Sequence, residues 1–441
     1  MSYLLKSATV VTLDPPAVAH ADLRIEGETI VERSAELQAL EHEEVINLDG
    51  KLVLPGMVCA HTHLYSAFAR GMPAPHRTPT NFKEILELVW WRLDRALDEE
   101  TIYWSAIAGA MDAARAGTTC LFDHHSSPSH IEGSLQIVRE AVERVGLRAV
   151  LCYEVTDRGG TREREQGLDE SLALLNWVRG LPGTQSQPAP TLFRGMVGAH
   201  ASFTLSDESL DYCAELMKVF DTGLHIHAAE DRWDVVDAQS RYKLGVVERL
   251  ARHSALNSRT ILAHGIHLSD DDIRIARSAG VWFAHNPRSN MNNQVGYAPV
   301  AKFGGRIVLG TDGIGADMFE ESHFAFFKGR DARTRFGPES WLRVLANNQQ
   351  LASEAFGCDL RKLDAGSVAD LIVLDYQSPT PLTGDNLAGH LVFGMSSSAV
   401  ESVMVNGRFV IRDRRSALDD GLYEEARRAS EKLWAKLREI R

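Results

Sequence analysis

The chain is 441 residues long, 44% hydrophobic and 24% charged, which fits a soluble globular protein with one large domain and a small one appended. A formal net charge of −13 and a pI ≈ 5.7 argue against nucleic acid and acidic membrane surfaces, which call for clustered Lys and Arg, and favour a small neutral or cationic substrate. Five cysteines, odd in number and widely spaced, exclude a disulfide framework or a thiolate zinc cluster; with no basic-then-apolar leader at Met1 and no apolar stretch of bilayer length, the expected location is the cytoplasm.

In chain order, short strands separated by turns come first: Tyr3 to Leu13, Ala21 to Glu26, Glu28 to Ser34, and Val45 to Leu48 before Asp49-Gly50. Apolar strand-like runs then alternate with long helical patterns. The runs are Val53 to Ala60, Thr118 to Phe122, Ala149 to Val155, Arg194 to Ala199, Leu224 to Ala228, Thr260 to Ala263, Val281 to Ala284 and Ile307 to Leu309. Eight runs separated by helices call for a parallel (β/α)8 TIM-like barrel. A doubly wound open sheet is disfavoured, because no glycine-rich phosphate-binding turn follows the first run. The Pro and Gln between Leu181 and Pro190 read as a loop. Strands return at Ala369 to Asp375, Val400 to Asn406 and Arg408 to Ile411, the last two joined by the hairpin dipeptide Asn406-Gly407. Asp420 to Arg441 reads as a terminal amphipathic helix packed on the body. The fold class is therefore α/β, a barrel over 55–364 with a small β-sandwich built from both termini (1–54 and 365–415) and a C-terminal helix over 416–441.

The first run ends in His61-Thr62-His63, and period-two alternation puts both imidazoles on one face of a strand tip. In such a barrel the reacting groups stand at the carboxyl ends of the strands. The other tips answer the pair: Asp123-His124-His125, His200, His227-Ala228-Ala229-Glu230, His264, His285 and Asp312. Three neutral imidazoles and one carboxylate leave a divalent zinc with a net positive charge, enough to generate hydroxide from bound water near neutral pH. His61, His63, His227 and Asp312 supply that set. His225 shares a face with His227 but lies deeper, as a structural histidine or one that supports a ligand from behind. No lysine stands at the third or fourth tip to bridge two ions, so a single metal is expected, Zn2+ in preference to Fe2+.

These segments resemble the amidohydrolase superfamily, in its mononuclear metal-dependent deaminase and chlorohydrolase branch. The resemblance covers nearly the whole chain: Pro55-Gly56-Met57-Val58 leading into the histidine pair, Ala263-His264-Gly265, His285-Asn286-Pro287-Arg288-Ser289-Asn290, Thr311-Asp312-Gly313 and Ala365-Gly366-Ser367-Val368-Ala369-Asp370-Leu371. Trp90-Trp91-Arg92-Leu93-Asp94 and Asp123-His124-His125-Ser126-Ser127-Pro128 are similar to the SsnA-type aminohydrolases. The resemblance implies that His61, His63, His227 and Asp312 hold the metal, with Glu230 and His264 working on water and substrate.

Hydrolytic deamination needs a nucleophile at an sp² carbon, a proton for the ring nitrogen and a proton for the departing amine. The expected roles are Glu230 as proton shuttle, Asp312 as metal ligand and base, and His264 as the group that orients water. His200, His125, Asp94, Trp91, Arg70 and His285 are the expected substrate contacts. The expected partner is a small purine-like or related N-heterocycle, and relatives are often homodimers or larger. The rival readings are a chlorohydrolase, or a hydrolase of cyclic amides or guanidines, on the same scaffold, and a non-catalytic metal-binding protein; retention of Glu230 and His264 speaks against the last.

Overall fold

A computed structural model describes residues 2–181, 191–416, 418 and 421–440. The expected loop between Leu181 and Pro190, together with Asp420 and Arg441, lies outside the described residues. The first five strands are β1 (Ser2–Leu13), β2 (Pro16–Glu26), β3 (Thr29–Ser34), β4 (Glu44–Asn47) and β5 (Leu52–Pro55). The barrel follows with β6 (Met57–Thr62), β7 (Thr118–His125), β8 (Arg148–Val155), β9 (Phe193–Gly195), β10 (Val197–Ala201), β11 (Leu224–Ala228), β12 (Ile261–His264), β13 (Trp282–His285) and β14 (Ile307–Leu309). The chain then returns through β15 (Leu371–Leu374), β16 (Val400–Val405), β17 (Arg408–Arg412) and β18 (Arg415–Ser416).

Strands from both termini form one sheet in the order β18-β17-β16-β15-β5-β1-β2-β3, with β4 pairing alongside β1. Tyr3, Leu5 and Val10 of β1 share a buried cluster with Leu23 and Ile25 of β2 and with Leu371 and Val373 of β15, so the sheet curls over a core of its own. The second sheet is parallel, in the order β14-β13-β12-β11-β10-β8-β7-β6. It closes where Thr311 N–H donates to His61 O at 2.8 Å and Thr62 bridges Asp312.

Short polar residues start the outer helices and glycines end them, as at Asp270–Ala279, where Ser269 and Asp272 form a capping box and Gly280 takes φ 72. The terminal helix Gly421–Glu439 buries Leu422, Ala426, Ala429, Leu433 and Leu437, a spacing of one helical face. Trp434 Nε1 donates to Phe68 O at 3.0 Å and so ties this helix to the segment after β6. No described helix is long and apolar enough to cross a membrane.

The expected first barrel run, Val53 to Ala60, is in fact two strands. Leu52–Pro55 pairs antiparallel with β15, and Met57 starts the pairing with β7. Gly56 makes the crossing because its α-carbon lies against Thr119; a Cβ there would sit 2.1 Å from Thr119 Oγ1. A second tie between the two sheets is fully buried: Arg148 of β8 grips Asp370, just ahead of β15, through Nε at 2.9 Å and Nη2 at 3.0 Å.

Candidate metal centre and active site

Val58 and Ala60 belong to a buried cluster with Cys120, Phe122, Trp282 and Val308 that fills the barrel interior. Strict alternation from there would turn His61 and His63 outward. One extra residue in β6 between Cys59 and Thr62, visible as a register shift against Leu121 and Asp123, reverses the phase and turns both imidazoles inward. His264 uses a different device. Ile261 is interior and Leu262 is not, so alternation would send His264 outward, but its left-handed backbone (φ 71) breaks the pattern. Ala229 and Asp312 also take positive φ (49 and 53), so three strained non-glycine residues surround one spot.

Each of three imidazoles is anchored through Nδ1. His63 Nδ1 donates to His124 O at 2.6 Å, His227 Nδ1 donates to His200 O at 2.8 Å, and His61 Nδ1 shares a hydrogen with His225 Nε2 at 2.8 Å. Their Nε2 atoms therefore face one point. There His63 Nε2 lies 3.2 Å from His227 Nε2 and 2.9 Å from Asp312 Oδ1, while His61 Nε2 lies 3.6 Å from that same oxygen. His61 Nε2 is buried with no hydrogen-bond partner. An orphaned imidazole nitrogen, two more beside it and a carboxylate could hold a divalent metal ion, and His264 is also within reach, since ligand atoms of His61, His227, His264 and Asp312 all lie within 4.8 Å of one another.

Burial holds His61 down at about 3 and His227 well below its usual range, so both are neutral, the form in which an imidazole can bind a metal ion. At His63 burial works the same way, but Asp312 overrides it and draws the imidazole up to about 9. The field that holds a proton there attracts a cation equally.

Glu230 and His264 border this spot. Glu230 Oε1 accepts from Asn293 Nδ2 at 3.1 Å, and its Oε2 lies 3.5 Å from His264 Nε2. Burial pushes the Glu230 carboxyl up to about 7, where it can take and give a proton at neutral pH. Asn290 Oδ1 holds His264 Nδ1 at 2.8 Å, and Ser289 Oγ donates to Asp312 Oδ2. Glu230, Asn293, Asp312, His63 and His227 open into a cavity of about 720 Å³, mouth included, walled by Phe82, Trp90, Trp91, Phe203 and Trp233.

Residues 52–410 match the model of the amidohydrolase family. The chain belongs to the amidohydrolase family. This amidohydrolase is 30% identical over 405 residues to a 5′-deoxyadenosine deaminase of Methanoregula boonei, covering 89% of this chain and 87% of that one. It is also 30% identical over 432 residues to a 5-methylthioadenosine/S-adenosylhomocysteine deaminase of Thermococcus sibiricus, covering 93% and 94%. Its fold is that of a zinc-bound adenosine deaminase from Xanthomonas campestris, with a TM-score of 0.84, 20% identity and 98% of each chain covered. It is equally that of the zinc complex of atrazine chlorohydrolase TrzN from Arthrobacter aurescens, with a TM-score of 0.82, 22% identity and 98% and 100% covered.

Within this amidohydrolase, His200, Trp91 and Asp94 line the cavity together with His63 and His227. Three other expected contacts do not. Arg70 points to solvent with 72% of its side chain exposed, paired with Asp112, because it ends the short turn after β6 on the outer side. His125 faces the helical layer: Cys120 and Phe122 are interior, so alternation along β7 brings His124 inward and leaves His125 bonded to Ser127 at 2.9 Å. His285 likewise follows interior Ala284 outward and packs between Tyr297 and Trp341. Arg158, Asn293 and Ser289 are neighbours of the site that sequence patterning missed. Arg158 and Asn293 lie beyond the strand tips, where no periodicity marks them; Ser289, in the quoted His285 to Asn290 segment, had no role attached.

Proposed function

We propose that this amidohydrolase removes the amino group of a 6-aminopurine or its nucleoside by hydrolysis, using one zinc ion held by His61, His63, His227 and Asp312. The observation that carries the reading is the meeting of three Nε2 atoms and Asp312 at one point, with the Glu230 carboxyl beside it. The names of the curated relatives support the purine class.

When bound, the ion supplies Lewis acidity and an acidified water. The rest falls to the chain. Water adds at the carbon that bears the amino group; one of its protons passes through Glu230 to the ring nitrogen, which keeps it, and the other passes from the new hydroxyl through Asp312 to the amino group, so that the carbon–nitrogen bond breaks to give ammonia and a ring carbonyl. Glu230 stands nearest in acidity to the ring-nitrogen transfer, since burial holds it near neutrality. Asp312, held well below the usual carboxylate range by His61 and His63 despite its burial, stays ionised to accept the proton from the new hydroxyl. His264, fixed by Asn290, turns Nε2 toward both carboxylates at 3.5 and 3.9 Å.

The test is the Glu230→Gln variant, assayed for metal content and ammonia release from 5′-deoxyadenosine and adenosine. About one zinc per chain should remain while turnover falls by about 10²- to 10⁴-fold. A variant that keeps its turnover overturns the assignment of Glu230, and two ions per chain overturn the single-metal assignment.

A further inference from the structure

Glu230 stands in the turn after β11, beyond the end of the strand, so the hydrogen bonds of the barrel sheet do not by themselves fix where its carboxyl points. Ala229, the residue before it, is fully buried and takes the left-handed φ of 49 that alanine disfavours. Its backbone is held on both sides. Ala229 O accepts from His267 N–H at 2.9 Å, and Ala229 N–H donates to Asp234 Oδ2 at 2.8 Å. Asp234 lies in the first turn of helix Arg232–Tyr242 and is 3% exposed. Its other oxygen, Oδ1, accepts from Phe203 N–H at 3.1 Å. Phe203 belongs to the loop after β10 and walls the same cavity as Glu230. One carboxyl thus joins the loops that follow two neighbouring barrel strands.

A buried carboxylate is a costly way to close a turn. Asp234 is not needed to start its own helix, because Asp231 already caps it by accepting from Trp233 N–H at 2.9 Å. What its two bonds achieve is to hold a strained alanine one residue ahead of Glu230 and to tie that turn to the cavity wall. A charge-assisted acceptor is stronger than a neutral one and can offset the strain of the left-handed turn. The other hold on Glu230, Asn293 Nδ2 at 3.1 Å, reaches its side chain and leaves the backbone free to relax.

We propose that Asp234 is a positioning residue for the reaction: by fixing the left-handed turn at Ala229 and tying it to Phe203, it sets the Glu230 carboxyl beside His264 and the metal-binding cluster. Both of its oxygens are taken by backbone amides, so it acts through Glu230. The inference rests on the proton-shuttle role given to Glu230 in the deaminase reading. Asp234→Asn is a sharp probe, because it keeps the shape and changes the bonding. The amide oxygen can accept from one backbone N–H, but the NH2 then faces the other, donor against donor. Asp234→Ser leaves a hydroxyl too short to reach both.

The experiment measures zinc content, and kcat and KM for ammonia release from 5′-deoxyadenosine and adenosine and for chloride release from a chlorotriazine, on the zinc-loaded full chain and its variants. Asp234→Asn should keep its zinc and a KM within about threefold of the parent, while kcat falls by about tenfold or more. Adding Ala229→Gly, which removes the strain of the left-handed turn, should return a large part of that kcat. A residue that only supported the fold would lower thermal stability and show neither the split between kcat and KM nor the response to Ala229→Gly. Asp234→Ser should lower kcat in the same way and decides the matter should Asp234→Asn fail to fold. Unchanged kcat in these variants, a loss of kcat that merely follows a loss of zinc, or a loss that Ala229→Gly leaves in place overturns the proposal. Ammonia release by the parent with unchanged kcat in the Asp234 variants sinks only this inference. Chloride release without ammonia, with its kcat lowered in Asp234→Asn, sinks the deaminase reading and leaves the positioning role standing. A parent that turns over none of the three compounds overturns both.

Discussion

Arg148→Met probes the joint between barrel and terminal sheet. Arg148 is fully buried and Asp370 is 3% exposed, and the guanidinium also donates to Thr191 O at 2.6 Å and Asn406 Oδ1 at 3.3 Å. Methionine keeps most of the volume and removes every donor. Asp370 would retain the Asn406 backbone N–H at 2.7 Å but lose its bidentate counter-ion inside the protein. Deleting one partner of a buried pair costs about 3–5 kcal/mol, because the other charge is left uncompensated. If the chain unfolds as a unit, its unfolding entropy is about 0.9 kcal/mol/K at about 2.1 cal/mol/K per residue, so the melting temperature should fall by about 3–5 °C. Differential scanning calorimetry of the zinc-loaded protein reads this directly. The double variant Arg148→Met/Asp370→Asn should recover a large part of the loss, because the stranded charge is gone. A melting temperature within about 1 °C of the parent for Arg148→Met would refute the view that this pair ties the two sheets. The active site is remote from the joint, so kcat measured well below the melting temperature should be unaltered.

Further outcomes follow from the site. His285→Phe should leave ammonia release within about twofold of the parent and stability equal or higher, since both ring nitrogens are buried without partners between Tyr297 and Trp341; a large loss of kcat would restore His285 to the site. Asn290→Ala frees His264 Nδ1 and should lower kcat by about tenfold while leaving zinc content and KM nearly unchanged; loss of the metal would show instead that Asn290 supports the ligands.

The barrel was legible because each buried strand is a short apolar run and each helix carries its own start and stop residues. What escaped was phase. Nothing in Val58-Cys59-Ala60-His61 announces the extra residue that turns His61 inward after interior Ala60, and nothing in Leu262-Ala263-His264 announces a left-handed histidine. His61, His63, His227 and Asp312 were picked out by their chemistry rather than by alternation, and their side chains lie close together. Where alternation does hold, it overturns two expectations: interior Phe122 places His124 in the cluster instead of His125, and interior Ala284 sends His285 outward. Gly56 was read as part of a continuous strand because close packing against Thr119 leaves no trace in the local pattern. Arg158 was missed for a related reason. It sits in a loop four residues past Glu154, and only the folded chain brings it to Asp94.

The most direct test of the account is ammonia release from 5′-deoxyadenosine by the zinc-loaded chain, run beside chelated and zinc-restored samples and beside a chloride-release assay on a chlorotriazine. Stoichiometric ammonia, lost on chelation and regained with one zinc per chain, is the expected result. Chloride release without ammonia, or ammonia release that survives complete removal of the metal, would contradict the account.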